Sequence, residues 1–502
     1  MTDRFIVRAG AYYDSVTLML ASRDAEEVAG VGFAAAVLAT PVNVALLAVQ
    51  GFVMPADLGA NDLVFAVRAD DDASADAALA AVERRLAGGG ETPGRSDTEI
   101  PLRSFRSVAR RSPEANLAFV SVPGRYATYE VADALEAGMH VFCFSDGPSV
   151  EEEALLKRRA LERGLLLMGP DCGTSIIDGV VLGFANRVGR GPVGVIGASG
   201  TGIQQVTCLL DGAGVGISHA IGVGGRDLST EVGGTMTLRA LELLAADDQT
   251  EIVVVLSKPP DPEVAGVVAA AAGRIGKPVV LGLLGATMPE LDAPENVRLA
   301  ASLETSATAA ADIAGAHIEI EVPTPPSTSR DGFIRGLFAG GSLCYEAMGV
   351  VAQATGRAVY SNVPLDPAWR LEDAEAGIEH TFIDYGSDEL TQGRAHPMID
   401  PTLRNARFER EAEDERVRAI VLDLVLGFGA HPDPATDLAE ATERALTRRT
   451  DLSVIVALCG TEDDPQDAGA QQARLEKAGA IVMRSAAAAA RAALRATGVD
   501  DA

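Results

Sequence analysis

The sequence predicts an α/β fold built of several Rossmann-like or flavodoxin-like domains with mostly parallel sheets. Three observations carry that prediction. Short apolar runs alternate with amphipathic segments along 502 residues, the pattern of strands and their covering helices in parallel sheets. Glycine-rich turns follow several of those runs, at the strand ends where open α/β sheets bind ligands. Two stretches rich in Gly, Pro and polar residues, GGGETPGRSDTEIP at 88–101 and EVPTPPSTSRDG at 321–332, punctuate a chain too long for one core.

Taken in order, the first unit (1–103) shows strands at Arg4–Val7, Val31–Leu38 and Leu63–Arg68 and a helix at Ser74–Ala87. The second (104–190) is a βαβαβ run. Its strands are Leu117–Val122, His140–Phe144 and Leu165–Met168, its helices Thr128–Ala137 and Ser149–Gly164, and it ends at GPDCG, 169–173. The third (191–322) opens with a strand at Val193–Ile196, a tight turn over 197–202 and a helix at Ile203–Leu210. Ile217–Val223 then runs into Gly224-Gly225-Arg226-Asp227, Ile252–Leu256 ends at Ser257-Lys258-Pro259-Pro260, and Pro278–Gly282 closes the series. In the last unit (333–502), Gly340-Gly341-Ser342 opens a helix through Ala347. Strands end at Ile383-Asp384 and follow at Ala419–Leu426, Val454–Leu458 and Ala480–Met483, before an Ala-rich helix at Arg484–Thr497.

The chain has 42 Lys or Arg against 71 Asp or Glu, a net charge of −29. That charge repels nucleic acid and anionic membranes, and no basic tract offsets it, so neither is an expected partner. The five cysteines (143, 172, 208, 344 and 459) are scattered and form no CxxC pair. Reduced thiols in a cytoplasmic protein are the simpler reading, with no zinc site or disulfide framework. The N-terminal MTDRFIVRAGAYYDS lacks a secretory pattern. No apolar run reaches the ~20 residues that cross a bilayer. A small-molecule substrate is expected.

The turn Ser199-Gly200-Thr201-Gly202 offers an anion free N–H groups and two hydroxyls at a helix start, where the dipole also favours negative charge. The alternative is an ordinary helix cap. Gly224 and Gly225 form a second turn, and Arg226 suits bidentate oxyanion contact or is a plain surface arginine. The two turns are expected to converge on one phosphate. Lys258, one of four lysines, neutralises a phosphate, polarises a carbonyl, or is a loop lysine. Gly340, Gly341 and Ser342 are the corresponding turn of the last unit. Arg394, His396, Asp400 and Arg404 form the densest polar cluster, with His396 as proton donor to a leaving nitrogen and the arginines as a carboxylate clamp. A structural loop or subunit contact is the alternative. Asp384 and Asp388 flank Gly386 and orient an amide or a metal or, more simply, form a solvated turn; His140 and His219 read as core or edge histidines, and Cys172 lacks the basic partner of a nucleophile.

MGPDCGTSI (168–176), GVIGASGTGIQQV (194–206), GVGGRDLSTEVGG (222–234) and GRAHPMIDPTLR (393–404) resemble the FdrA family over nearly the whole chain. That family is related to the α and β subunits of succinyl-CoA synthetase fused in one polypeptide. The resemblance implies a CoA-binding-like Rossmann domain at 104–190, an α ligase-like domain at 191–322 and a β ligase-like domain at 333–502. It also implies a subunit of an oxamate carbamoyltransferase working with two further proteins. Such an enzyme interconverts oxalurate plus phosphate with oxamate plus carbamoyl phosphate. On that reading His396, Lys258 and Arg226 are catalytic, and the glycine turns with Arg394, Asp400 and Arg404 hold phosphate and substrate. Phosphate or carbamoyl phosphate is then a substrate; no cofactor is certain, and CoA is the candidate left open. The departures from the synthetases bear on the choice. Residues 282–302 contain no His where the synthetases carry a phosphorylated one, and Ser257-Lys258-Pro259-Pro260 stands where they carry Glu-Ile-Gly-Gly. No ATP-grasp domain is recognisable. The alternatives are an acyl-CoA synthetase, or a non-catalytic subunit that binds acyl-CoA or phosphate.

Overall fold

The computed structural model describes all residues except 1, 10, 12, 14, 41–42, 45–46, 49, 56–57, 60–61, 89–101, 103, 285–290, 292, 324–331, 392–393 and 500–502. Most of both punctuating stretches therefore lies outside the described residues. The chain divides into two compact units, one of residues 1–101 with 386–400 and one of 102–385 with 401–502.

In the first unit, β1 (Thr2–Arg8), α1 (Ser15–Glu26), β2 (Val31–Leu38), β3 (Leu63–Ala69) and α2 (Asp72–Gly88) follow one another. The sheet is antiparallel, in the order β1-β3-β2. Central β3 is apolar on both faces. Phe65 and Val67 pack with Leu18, Ala21, Ala78 and Val82 beneath the helices, and Val64 and Ala66 pack with Leu47 and Phe52 on the other side. The expected strands and the helix at 74–87 are present; α1 was not anticipated.

The second unit begins with α3 (Phe105–Arg111), β4 (Leu117–Val120), α4 (Gly124–Glu136), β5 (His140–Cys143), α5 (Val150–Glu162) and β6 (Leu167–Met168). These strands form the expected parallel sheet, β4-β5-β6. Ser149 and Glu152 start α5 with a reciprocal capping box. The hairpin β7 (Thr174–Ile177) and β8 (Val180–Gly183) follows, turned by Asp178 and Gly179 at φ +50° and +76°, the conformation a two-residue hairpin loop needs. It joins not the preceding sheet but the next, pairing antiparallel with β10.

That next sheet takes β9 (Arg190–Gly197), α6 (Gly200–Gly212), β10 (Ile217–Gly222), α7 (Thr235–Ala246), β11 (Ile252–Ser257), α8 (Pro262–Ala272), β12 (Val279–Leu283), β13 (Val297–Ala300) and α9 (Leu303–Ile313). Its order is β13-β12-β11-β9-β10-β7-β8. The five parallel strands follow the flavodoxin-like order, so the topological switch falls between β9 and β11. One core runs from Val141 and Leu167 in the small sheet to Ile196, Val253 and Leu281 in the large one.

The remaining elements are β14 (Phe333–Phe338), α10 (Gly341–Thr355), β15 (Val359–Ser361), β16 (His380–Asp384), α11 (Asp388–Thr391, in the first unit), α12 (Thr402–Glu413), β17 (Val417–Val425), α13 (Ala435–Arg448), β18 (Ser453–Cys459), α14 (Ala468–Lys477), β19 (Ile481–Met483) and α15 (Ala486–Ala496). Their sheet, β15-β16-β14-β17-β18-β19, is parallel throughout. β14, the first of these strands in the chain, has later strands on both sides, as β9 does. Among the described residues no helix is long and apolar enough to cross a membrane.

Candidate functional site at the junction of two open sheets

The two large sheets present the ends of their first strands, β9 and β14, to each other. Each strand leads through a short turn into a helix, α6 or α10. Ser199 caps α6, its hydroxyl accepting from the Gly202 N–H at 2.9 Å, while the N–H groups of Gly200 and Thr201 find no partner among the described residues. Gly340 precedes α10 without a side-chain cap, and the N–H groups of Gly341 and Ser342 are likewise open. The helix starts meet. Ser199 Oγ lies 2.5 Å from Ser342 Oγ, and a methyl group on Gly340 would sit 3.0 Å from the Thr201 side chain. Two converging helix starts add their dipoles.

Charged residues frame it. A methyl on Gly341 would lie 2.6 Å from Asp384 Oδ2 and 3.2 Å from Lys258 Nζ, so only glycine fits there. Lys258 follows β11 at the switch point, is half-buried, and makes no hydrogen bond or ion pair among the described residues. Asp423 on β17 is fully buried and fixes the start of α10. Its carboxylate accepts from the Ala339 and Gly340 N–H groups at 2.7 and 2.6 Å and from Arg404 Nη1 at 2.9 Å. Burial lifts the Asp423 carboxyl above the ordinary range, against the pull of Arg404 and those two N–H groups.

The junction is held together from behind. On α6, Gln204 donates to Asn186 Oδ1 and the Leu426 carbonyl. Gln205 donates to Glu346 of α10 at 2.8 Å and accepts from the Ala486 N–H at 2.9 Å. Glu346 also accepts from the Glu304 N–H, and burial pushes its carboxyl up to about 7.

The expected residues sort into three places. Ser199, Gly200, Thr201, Gly202, Lys258, Gly340, Gly341 and Ser342 meet at this junction. Of the second expected turn, Gly225 adjoins the first, where a methyl on it would lie 3.9 Å from the Ala198 carbonyl, while Gly224 and Arg226 are engaged elsewhere. Gly224, at φ +84°, sits where a methyl would come within 2.5 Å of the Pro170 carbonyl, so its identity answers a close backbone approach. Arg226 turns away, donating to Glu153 and the Pro148 carbonyl. Its neighbour Asp227 turns inward, pairs with buried Lys157 at 2.8 Å and caps α7 through the Thr237 N–H. The loop 340–342 of the last unit also meets 199–202.

Arg404 is also redirected. It is buried against Asp423 inside the second unit, whereas Arg394, His396 and Asp400 belong to the first. There the Met398 N–H donates to His396 Nδ1, and burial holds the imidazole down at about 4. That shift favours the neutral imidazole near pH 7. Arg394 is likewise lowered by burial, with Asp400 opposing. Burial pushes the Cys172 thiol up to about 12 and raises that of Cys344 well above its ordinary value.

The arrangement defines a succinyl-CoA synthetase-like protein, with a CoA-binding fold and a CoA-ligase fold in one chain. The CoA-ligase family model matches residues 337–496, the CoA binding domain model residues 189–282, and the "AllF, heavy metal-associated domain" model residues 1–101. The chain belongs to the family of the uncharacterized protein YahF of Escherichia coli, to which it is 38% identical over 503 residues, covering 97% of this chain and 96% of that one. It is 29% identical over 217 residues to a succinate–CoA ligase [ADP-forming] alpha subunit of Archaeoglobus fulgidus, covering 40% of this chain and 70% of that subunit. An acetyl-coenzyme A synthetase of Ca. Korarchaeum cryptofilum, solved with phosphate and ADP, aligns at TM-score 0.35 and 16% identity over 82% of this chain and 90% of that one.

The heavy metal in the N-terminal family's description has no ligand set here. Residues 1–101 contain neither Cys nor His, and among the described residues no group of His, Cys, Asp and Glu is placed to hold a metal ion. These residues do not fit a soft metal.

Proposed function

We propose that the chain transfers an acyl-type group between a phosphate oxygen and an acceptor at the junction of α6 and α10, as a CoA-ligase-type protein with no phosphohistidine step. The observation that carries this reading is the meeting of two helix starts with N–H groups open among the described residues, beside the Lys258 ammonium, which has no partner among those residues. In the forward direction the acceptor attacks the acyl carbon and the carbon–oxygen bond to phosphate breaks. Phosphate leaves with that electron pair, and the acceptor's proton passes to it or to water. The N–H groups of Gly200, Thr201, Gly341 and Ser342 hold the phosphate oxygens, and Lys258 offsets the charge that grows on them.

The CoA-ligase and CoA-binding family matches support the thiol of CoA as acceptor, an acid–thiol ligase half-reaction. A second reading takes oxamate as acceptor and carbamoyl phosphate as donor, with two further protein subunits completing the site. The absence of His from 282–302 and the lysine at 258 favour it, since neither suits a phosphoryl relay. The test is phosphate release by the chain, alone and co-purified with the products of neighbouring genes. Acetyl phosphate with CoA, and carbamoyl phosphate with oxamate, are the two substrate pairs. Acceptor-dependent release that Lys258→Ala abolishes is expected, and the pair that supports it selects the reading. No release with either pair overturns the proposal.

A further inference from the structure

Thr174 opens β7 and is 2% exposed, yet its Oγ1 has no hydrogen-bond partner among the described residues. Its neighbour Ser175 shows that the strand can satisfy a hydroxyl: Ser175 Oγ accepts from the Gly222 N–H at 2.9 Å. The orphaned Thr174 hydroxyl faces the start of α6, where a methyl on Gly200 would lie 3.0 Å from Oγ1. It is thus aimed at the same turn whose Gly200 and Thr201 N–H groups are open. Leaving a buried hydroxyl unmade costs about 1–3 kcal/mol, a cost that a bound oxygen removes.

We infer that Thr174 binds one oxygen of the ligand and makes the junction selective for a tetrahedral oxyanion over a planar carboxylate. This rests on the reading that the two helix starts hold an oxyanion. The donors come from three directions: α6, α10 with Lys258, and Thr174 from β7. The three terminal oxygens of a phosphate group meet all three. A carboxylate has two oxygens in one plane and leaves one direction unfilled. The ligand class is inorganic phosphate or the phosphoryl end of an acyl phosphate.

The experiment is calorimetric titration of the full-length chain with inorganic phosphate, with acetate as the planar probe and acetyl phosphate as the third ligand. Wild type is expected to bind phosphate and acetyl phosphate at least about tenfold more tightly than acetate. Thr174→Val keeps the shape and removes the hydroxyl. It is expected to lose about tenfold in phosphate affinity, one hydrogen bond's worth to a charged group, with acetate affinity unchanged. Thr174→Ser restores phosphate binding. Because the hydroxyl is unpaired among the described residues, Thr174→Val also leaves the Tm unchanged or raised. Wild-type phosphate affinity in Thr174→Val overturns the role of Thr174 and leaves the oxyanion site standing, as does a Tm drop showing the hydroxyl to be structural. Failure of wild type to bind phosphate or acetyl phosphate overturns the site itself.

Discussion

Asp423 does two jobs with one carboxylate: it fixes the turn before α10 through two N–H groups, and it neutralises Arg404 in the core. Removing one partner of a buried pair leaves the other uncompensated, so Asp423→Ala should cost about 3–5 kcal/mol in urea unfolding. Replacing both, as Asp423→Leu with Arg404→Met, should restore most of that stability while leaving the Gly340 turn untied and phosphate binding weakened. At this scale the sequence is least legible. Arg226 and Asp227 are adjacent charges in one turn, and which of them faces inward is decided by Lys157, seventy positions away. Arg404 looks like a substrate clamp in sequence because Asp423 is not near it there. His396 has the residue type of a proton donor, but its charge state is set by burial, which spacing does not reveal. Thr174 gave no signal, since an orphaned hydroxyl exists only relative to a fold.

Helices α6 and α10 were readable as elements, because an apolar strand, a glycine–serine turn and a helix leave a period change in the chain. Their starts fall at Gly200 and Gly341, within a few residues of the turns seen in sequence. The hairpin β7–β8 was not anticipated although its Asp178-Gly179 turn is a recognisable signal; it is short, and its pairing partner β10 lies more than thirty residues on. Gly341→Ala should push α10 off Asp384 and lower phosphate affinity at least about tenfold, by the loss of one or more charge-assisted bonds. Glu346 joins the two helices from behind, with its carboxyl raised to about 7. The unfolded chain ionises this group near its ordinary value and the folded chain only near 7. Raising the pH between those values therefore favours unfolding, by on the order of 3 kcal/mol. Urea unfolding at pH 5 and pH 8 should show stability falling toward pH 8, and Glu346→Gln should flatten that dependence.

On the scale of the second unit, the junction is assembled from segments before and after residues 324–331. Asn186, Gln204, Gln205 and Glu304 on one side bond Leu426, Asp464, Glu346, Ser485 and Arg491 on the other. The parallel α/β class was legible because it rests on periodicity repeated in every strand. The way the two large sheets face each other was not, because it rests on a few polar side chains with no periodic mark. A protease site placed within 324–331 should give two fragments that still co-elute and still bind phosphate; fragments that separate on cleavage would show that the chain connection, not the interface, holds the site. The covalent connection between α9 and β14 also has a kinetic meaning. It turns the meeting of Ser199 with Ser342 into an intramolecular event, governed by an effective concentration and not by that of a separate subunit. Neither half then depends on the dilution of the other, and the two helix starts are always delivered in a one-to-one ratio.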